Sequence, residues 1–175
     1  MIYVTTAALE RIEVEVQSAQ GIETGGILIG VFLKSGDVLV THATSPGPKA
    51  IKTTNLFQKD LSYTTQIFNI LSSKYSIDYL GEWHKHPNSF IDYSLMDKKS
   101  MVEITEVNSR PCFFAIVGNS YSLTTCQSSL RMFTCRPNLN IDVSPWEEIK
   151  EPEKLALEKG INRYVERKKE SFEKK

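Results

Sequence analysis

The sequence predicts an α/β domain in which a mixed β-sheet lies between layers of helix. Three observations lead there. Segments with helical and strand periods alternate along the chain, which favours helices packed on both faces of a sheet. Cys112 to Val117 is apolar throughout, as a strand covered on both sides must be. At 175 residues and 41% hydrophobic side chains, the chain is long and apolar enough for one real core.

Taken in order, residues 5–18 are ambiguous by period. Ile12, Val14 and Val16 alternate as in a strand, while Ala8, Leu9, Ile12 and Val16 fit one face of a helix. Residues 26–34 and 37–44 read as a strand pair turning at Ser35-Gly36, and Ser45-Pro46-Gly47-Pro48 breaks regular structure. A helix is expected from Asp60, its cap, to Tyr75, with Leu61, Thr64, Phe68, Leu71 and Tyr75 at helical spacing. A strand over 78–86, a helix over 94–107 and the buried strand 112–117 follow. Gly118-Asn119-Ser120 then turns the chain into Tyr121 to Cys126, with a further strand at Leu130 to Cys135. After Pro137 two helical pieces are expected, Trp146 to Lys159 and Ile161 to Lys174, the second with an apolar stripe of Ile161, Tyr164, Val165 and Phe172. The division is therefore a domain over 1–137 and a helical extension over 138–175 packing on it.

Composition excludes several function classes. Lysine plus arginine and aspartate plus glutamate each number 21, so no net charge argues for nucleic acid or a membrane surface. No apolar run approaches the ~20 residues of a membrane span, and Met1 to Val4 lacks the basic region of a signal peptide. Cys112, Cys126 and Cys135 are odd in number and lack metal-ligand spacing, which suits reduced core residues in a cytoplasmic protein.

The chemistry concentrates in Trp83-His84-Lys85-His86-Pro87 and Ser94-Leu95-Met96-Asp97. On a strand, side chains at i and i+2 share a face, so His84 and His86 can share one target. Pro87 ends the strand. Ser94 suits the N-cap of the next helix, and Asp97 in its first turn can swing back to the imidazoles. Two imidazoles and a carboxylate form an open type of zinc site, one ion per chain, in which the fourth position is left to water of pKa about 7. Such a site needs a proton acceptor beside the metal. Glu23, just before Gly25-Gly26 and the run Ile27 to Val31, is the candidate. Glu82 is its rival, since it counts onto the face of His84 and His86; it could fix an imidazole tautomer or pair with a lysine. His42, between apolar neighbours, reads as structural.

Glu23, then His84-x-His86, seven residues, Ser94-x-x-Asp97, resembles the JAMM motif of the JAB/MPN+ metalloproteases, with Gly81 and Pro87 flanking the histidines as in that family. The resemblance covers residues 5–135 and departs at Lys85, where serine or threonine is usual. By alternation Lys85 points away from the metal, leaving an effect on the groove rim as its expected influence. The resemblance implies a three-layer α-β-α MPN fold with a mixed, mostly antiparallel sheet, and it favours the helix over 5–18. It implies zinc on His84, His86 and Asp97, Glu23 as general base and then acid, and Ser94 as donor to the oxyanion. It also implies hydrolysis of the isopeptide or peptide bond after the C-terminal tail of a ubiquitin-like modifier or conjugated protein. Pro46, Gly47 and Phe57 are candidates for substrate binding, because residues 45–57 resemble loops of stand-alone bacterial members. Some of those members belong to anti-phage CBASS systems with E1/E2-like ligases.

Two alternatives stay open: a peptidase trimming a ubiquitin-like or sulfur-carrier precursor, and a non-catalytic MPN scaffold. A zinc deaminase is excluded, because it needs His-x-Glu and Pro-Cys-x-x-Cys, whereas Pro111-Cys112 is followed by Phe113-Phe114-Ala115.

Overall fold

Thr5 closes a first strand, β1 (Ile2–Thr5), and caps the helix after it, α1 (Thr6–Ser18), by accepting a 3.2 Å hydrogen bond from the Ala8 amide. The computed structural model describes residues 1–138 and 140–150. In α1 the buried residues include Ala8, Leu9, Ile12 and Val16, while Val14 is 53% exposed. A strand would have turned Val14 inward with Ile12 and Val16, so the helical period governs this segment. β1 itself went unread, because four residues carry too little pattern.

The strand pair β2 (Thr24–Phe32) and β3 (Val38–Ala43) is antiparallel about the expected turn. A hairpin of two short strands, β4 (Ile51–Lys52) and β5 (Phe57–Gln58), follows the proline-rich loop. α2 (Leu61–Lys74) starts at Asp60, whose carboxylate accepts from the Tyr63 amide at 3.1 Å. Next come β6 (Asp78–Lys85), α3 (Leu95–Asn108) and β7 (Cys112–Val117), the last buried at every position.

Tyr121 to Cys126 is not a strand. Ser122 and Thr125 satisfy backbone and side-chain groups locally, with the Ser122 amide donating to Thr125 Oγ1 at 3.1 Å, and the chain passes into the short helix α4 (Cys126–Ser129). Hydroxyl side chains competing for the backbone in this way defeat an extended conformation. β8 (Leu130–Cys135) then forms as expected. β9 (Ile141–Ser144) and β10 (Trp146–Ile149) correct the helical reading of residues 146–150. β10 pairs in parallel with β1, Ile2 facing Trp146 and Thr5 facing Ile149, and a strand partner distant in sequence is invisible to local periodicity. The rest of the expected C-terminal extension, 151–175, lies outside the described residues.

Eight strands form one sheet in the order β10-β1-β3-β2-β6-β7-β8-β9, with four of its seven junctions antiparallel. Neighbouring residues separate its faces. Phe113, Ala115 and Val117 pack with Leu9, Ile12 and Val16 of α1. Cys112, Phe114 and Ile116 pack with Met101 of α3, and Ile27, Ile29 and Val31 pack with Phe68 and Leu71 of α2. Helix therefore covers both faces, giving the three-layer α-β-α arrangement. All three cysteines are buried and free of disulfides. No helix among the described residues is long and apolar enough to cross a membrane.

Gly81 faces Phe113 in the β6–β7 register. Its φ is +150°, and a Cβ there would lie 1.9 Å from the Phe113 carbonyl oxygen. Both the backbone region and the space require glycine. Gly81→Ala is expected to cost about 2–4 kcal/mol through strain and overpacking, read as a lowered urea-unfolding midpoint. An unchanged midpoint would contradict this packing.

Candidate active site

β6 delivers the two histidines by alternation. Glu82, His84 and His86 face the α2/α3 side, while Trp83 and Lys85 face the α1 side. The His86 amide still bonds the Val117 carbonyl at 2.9 Å, so His86 keeps strand direction for one residue beyond β6. The loop from Pro87 to Tyr93 is tied down where it leaves the sheet. Asn119 N donates to Asn88 O at 2.7 Å, and Arg131 Nη1 donates to Asp92 Oδ2 at 3.0 Å.

Ser94 is the N-cap of α3, and the cap is reciprocal. Ser94 Oγ accepts from the Asp97 amide at 3.2 Å, while Asp97 Oδ2 accepts from the Ser94 amide at 2.8 Å and from Ser94 Oγ at 2.6 Å. The box fixes Asp97 with its carboxylate turned toward the imidazoles. His86 Nε2 lies 3.2 Å from Asp97 Oδ2, and His84 Nε2 lies 3.9 Å from Asp97 Oδ1. Glu23 reaches the same spot from the start of β2, with Oε1 3.9 Å from His84 Nε2. The cluster thus gathers residues from three separate stretches of chain.

The electrostatics follow from these contacts. Burial pulls the His84 pKa down to about 4, against the opposing charge of Asp97, so its ring stays neutral and available as a ligand. For His86 burial also acts downward, but hydrogen bonds to Asp97 and the Phe90 carbonyl outweigh it and raise the pKa. Burial would raise Asp97, yet hydrogen bonds from His86 and Ser94 hold its carboxyl well below the usual range. Burial pushes Glu23 up, with the Asp97 charge adding to the shift and His86 opposing it.

A divalent cation fits these residues. One donor atom from each of His84, His86 and Asp97 lies within 4.8 Å of the others. His86 Nδ1 is engaged with Phe90 O at 2.9 Å, an outer contact that sets the ring's orientation and leaves Nε2 for a metal. The His86–Asp97 contact is satisfied by a shared proton or by a cation in its place. Two imidazoles and a carboxylate are a zinc-type donor set with one position left open.

The site opens into a groove of about 580 Å³ bordered by Leu56, Phe57, Met96 and Ile104. Phe57 lies 5.8 Å from the His84 ring, centroid to centroid. Gly25, facing His84 in the β2–β6 register, makes room for it: a Cβ at Gly25 would come 2.7 Å from the Phe57 ring and 2.4 Å from Trp83 O. The other two residues expected at the substrate lie elsewhere. Pro46 O accepts from the Asp60 amide at 2.8 Å, and Gly47 packs against Asp60 and Tyr63, so both shape the start of α2 rather than the groove wall.

Glu82 takes the second of its two expected roles. Its carboxylate is held by Lys59 and by the Tyr79 hydroxyl at 3.1 Å, at the side of the groove. His42 bonds Thr41 Oγ1 through Nδ1 at 2.8 Å and rests near Tyr75, as a structural histidine would. Lys85 does not reach the groove rim; it is 0% exposed, with Nζ on the Ala19 and Ile22 carbonyls. Sequence reasoning missed this tether and the Phe90 carbonyl behind His86. Alternation did place Lys85 on the inner face, but nothing local showed what it would meet there.

No protein-family model matches the chain. It is 35% identical over 98 residues to a CD-NTase/cGAS isopeptidase of Escherichia coli, a match covering 55% of this chain and 62% of that protein. It is 27% identical over 135 residues to a CD-NTase/cGAS isopeptidase of Enterobacter hormaechei, covering 73% and 74%. In fold it is similar to a protein of Desulfitobacterium hafniense, with TM-score 0.64, 18% identity and coverage of 86% and 94%. It is also similar in fold to a JAB1/MPN domain protein of Archaeoglobus fulgidus, with TM-score 0.51, 12% identity and coverage of 86% and 98%. Motif, fold and sequence relatives agree: the chain is a JAB/MPN-fold protein similar to the bacterial CD-NTase/cGAS isopeptidases.

Proposed function

We propose that the chain is a zinc-dependent isopeptidase that releases a protein from an isopeptide conjugate, acting after the C-terminal tail of a conjugated protein. The observation that carries the reading is the convergence of His84, His86 and Asp97 with Glu23 beside them and outside the ligand set. Zinc, when bound by the three ligands, supplies Lewis acidity to the carbonyl and to water. Glu23 accepts the proton of the attacking water and later hands it to the leaving lysine amine, which makes it base and acid in turn. Ser94 donates to the oxyanion, a role that requires its hydroxyl to turn away from Asp97 Oδ2. The groove beside Phe57 and Met96 admits a slender tail.

The sequence relatives are named CD-NTase/cGAS isopeptidases, which favours a conjugated CD-NTase as the substrate class; the resemblance to stand-alone bacterial JAB/MPN+ members adds an anti-phage CBASS setting. The test is cleavage by the zinc-loaded protein of a CD-NTase joined through its C-terminal carboxylate to a lysine ε-amine. A linear fusion with the same tail serves as the second substrate. Preference for the isopeptide supports deconjugation, and preference for the linear bond supports precursor processing. No hydrolysis of either, with zinc bound, returns the chain to a scaffold role.

Zinc uptake by the metal-free protein carries a further expectation. A metal can take His86 only without its extra proton; burial lowers the pKa of that ring, but its hydrogen bonds to Asp97 and the Phe90 carbonyl outweigh burial and raise it. Apparent zinc affinity is therefore expected to fall as pH drops through the raised His86 pKa, read by chelator competition at a series of pH values. An affinity independent of pH across that range would contradict His86 as a ligand.

A further inference from the structure

We propose that Lys85 is a positioning residue for Glu23: its buried ammonium group ties the turn that carries Glu23 to the strand that carries His84 and His86. The proposal rests on the reading of Glu23 as proton acceptor, and it adds a residue outside the JAMM pattern. Lys85 is 0% exposed, and its Nζ donates to Ala19 O at 2.6 Å and Ile22 O at 2.9 Å. Ala19 is the C-cap of α1, so these acceptors lie where the helix ends and carbonyls lack helical partners. Ile22 immediately precedes Glu23, and Thr24, the next residue on, faces Lys85 in the β2–β6 register.

The three residues His84-Lys85-His86 thereby do two jobs on opposite faces of one strand. The outer pair turns toward Asp97, and the middle one reaches through the other face to the turn bearing the base. Other contacts fix that turn in the same frame. Asn119 Oδ1 accepts from the Gly21 amide at 3.2 Å, and the Glu23 amide donates to Thr53 O at 2.7 Å. No carboxylate pairs with Lys85 among the described residues. A buried ammonium satisfied only by carbonyls is costly to keep. Methionine would fill the same space at less cost, so packing alone does not account for a lysine here. Holding two specific carbonyls does.

The test is Lys85→Met, which keeps volume and removes the donors, with Lys85→Ser as the second variant where methionine is not accommodated and Lys85→Arg as the conservative one. Zinc content is expected to stay at the wild-type level. Hydrogen–deuterium exchange at the amides of residues 20–24 is expected to speed up at least about 10-fold as local protection is lost. With an isopeptide-linked CD-NTase as probe, kcat is expected to fall about 10- to 100-fold with KM unchanged, as for a misplaced catalytic group. Lys85→Arg restores most of it. In a Glu23→Gln background the loss caused by Lys85→Met shrinks to less than about twofold, because a residue acting through Glu23 has nothing left to position. Unchanged exchange at 20–24 overturns the tether, and an equal loss of kcat in the Glu23→Gln background overturns the positioning role. If the wild-type protein hydrolyses no isopeptide, the proposed function fails, while the exchange measurement still decides whether Lys85 holds the turn.

Discussion

Glu23→Ala is expected to leave zinc bound at the wild-type stoichiometry and to cut kcat by about 10²–10⁴-fold, the usual contribution of a positioned proton-transfer group. The expectation comes from where Glu23 stands. Its carboxylate is 3.9 Å from His84 Nε2 yet lies outside the group formed by His84, His86 and Asp97. Removing it therefore leaves the side chains of His84, His86 and Asp97 and their supports intact. Its backbone amide bonds Thr53 O, which the substitution does not disturb, so the loss should appear in turnover and not in folding. Steady-state kinetics with elemental analysis of the same preparation reads both quantities. Activity within a few-fold of wild type would show that another group moves the proton.

His84→Ala and Asp97→Ala are expected to lose metal and turnover together. Deleting a ligand should weaken zinc binding by at least about 100-fold, the upper end of what losing a mere outer partner costs. The two variants differ in their side effects. His84 is half-buried beside Phe57 and ends no helix, so its removal costs mainly the metal. Asp97 also completes the cap of α3, accepting from the Ser94 amide at 2.8 Å; alanine there removes this reciprocal bond, at a cost of about 1 kcal/mol, while Ser94 Oγ still accepts from the amide of residue 97. Asp97→Asn separates the two effects, because it keeps an acceptor for the cap while withdrawing the charge from the metal. Competition titration with a chromophoric chelator reads the affinity, and a zinc affinity unchanged in either alanine variant contradicts the ligand set.

Much of this arrangement was legible because it is written in short periods. The i, i+2 spacing of His84 and His86, the cap signal at Ser94 and the apolar run 112–117 are local features, and the structure realises each of them. Asp97 was legible for the same reason, since a capping box and a ligand in the first turn demand the same residue spacing. What escaped depends on partners far away in sequence. Trp146 to Ile149 forms a strand because β1 stands open beside it, and no pattern within those residues says so. Lys85 was placed on the right face, but its acceptors lie 63 and 66 positions earlier in the chain. Tyr121 to Cys126 was misread because the hydroxyls of Ser122 and Thr125 compete for the backbone. Among the residues expected at the substrate, Phe57 borders the groove, whereas Pro46 and Gly47 serve the start of α2.

Anomalous diffraction at the zinc edge from crystals of the zinc-loaded protein addresses the central claim most directly. The expected result is one ion bonded to His84, His86 and Asp97, with the Glu23 carboxylate near the remaining position and not bonded to the metal. An ion held elsewhere, or one that Glu23 ligates in place of Asp97, would contradict the account.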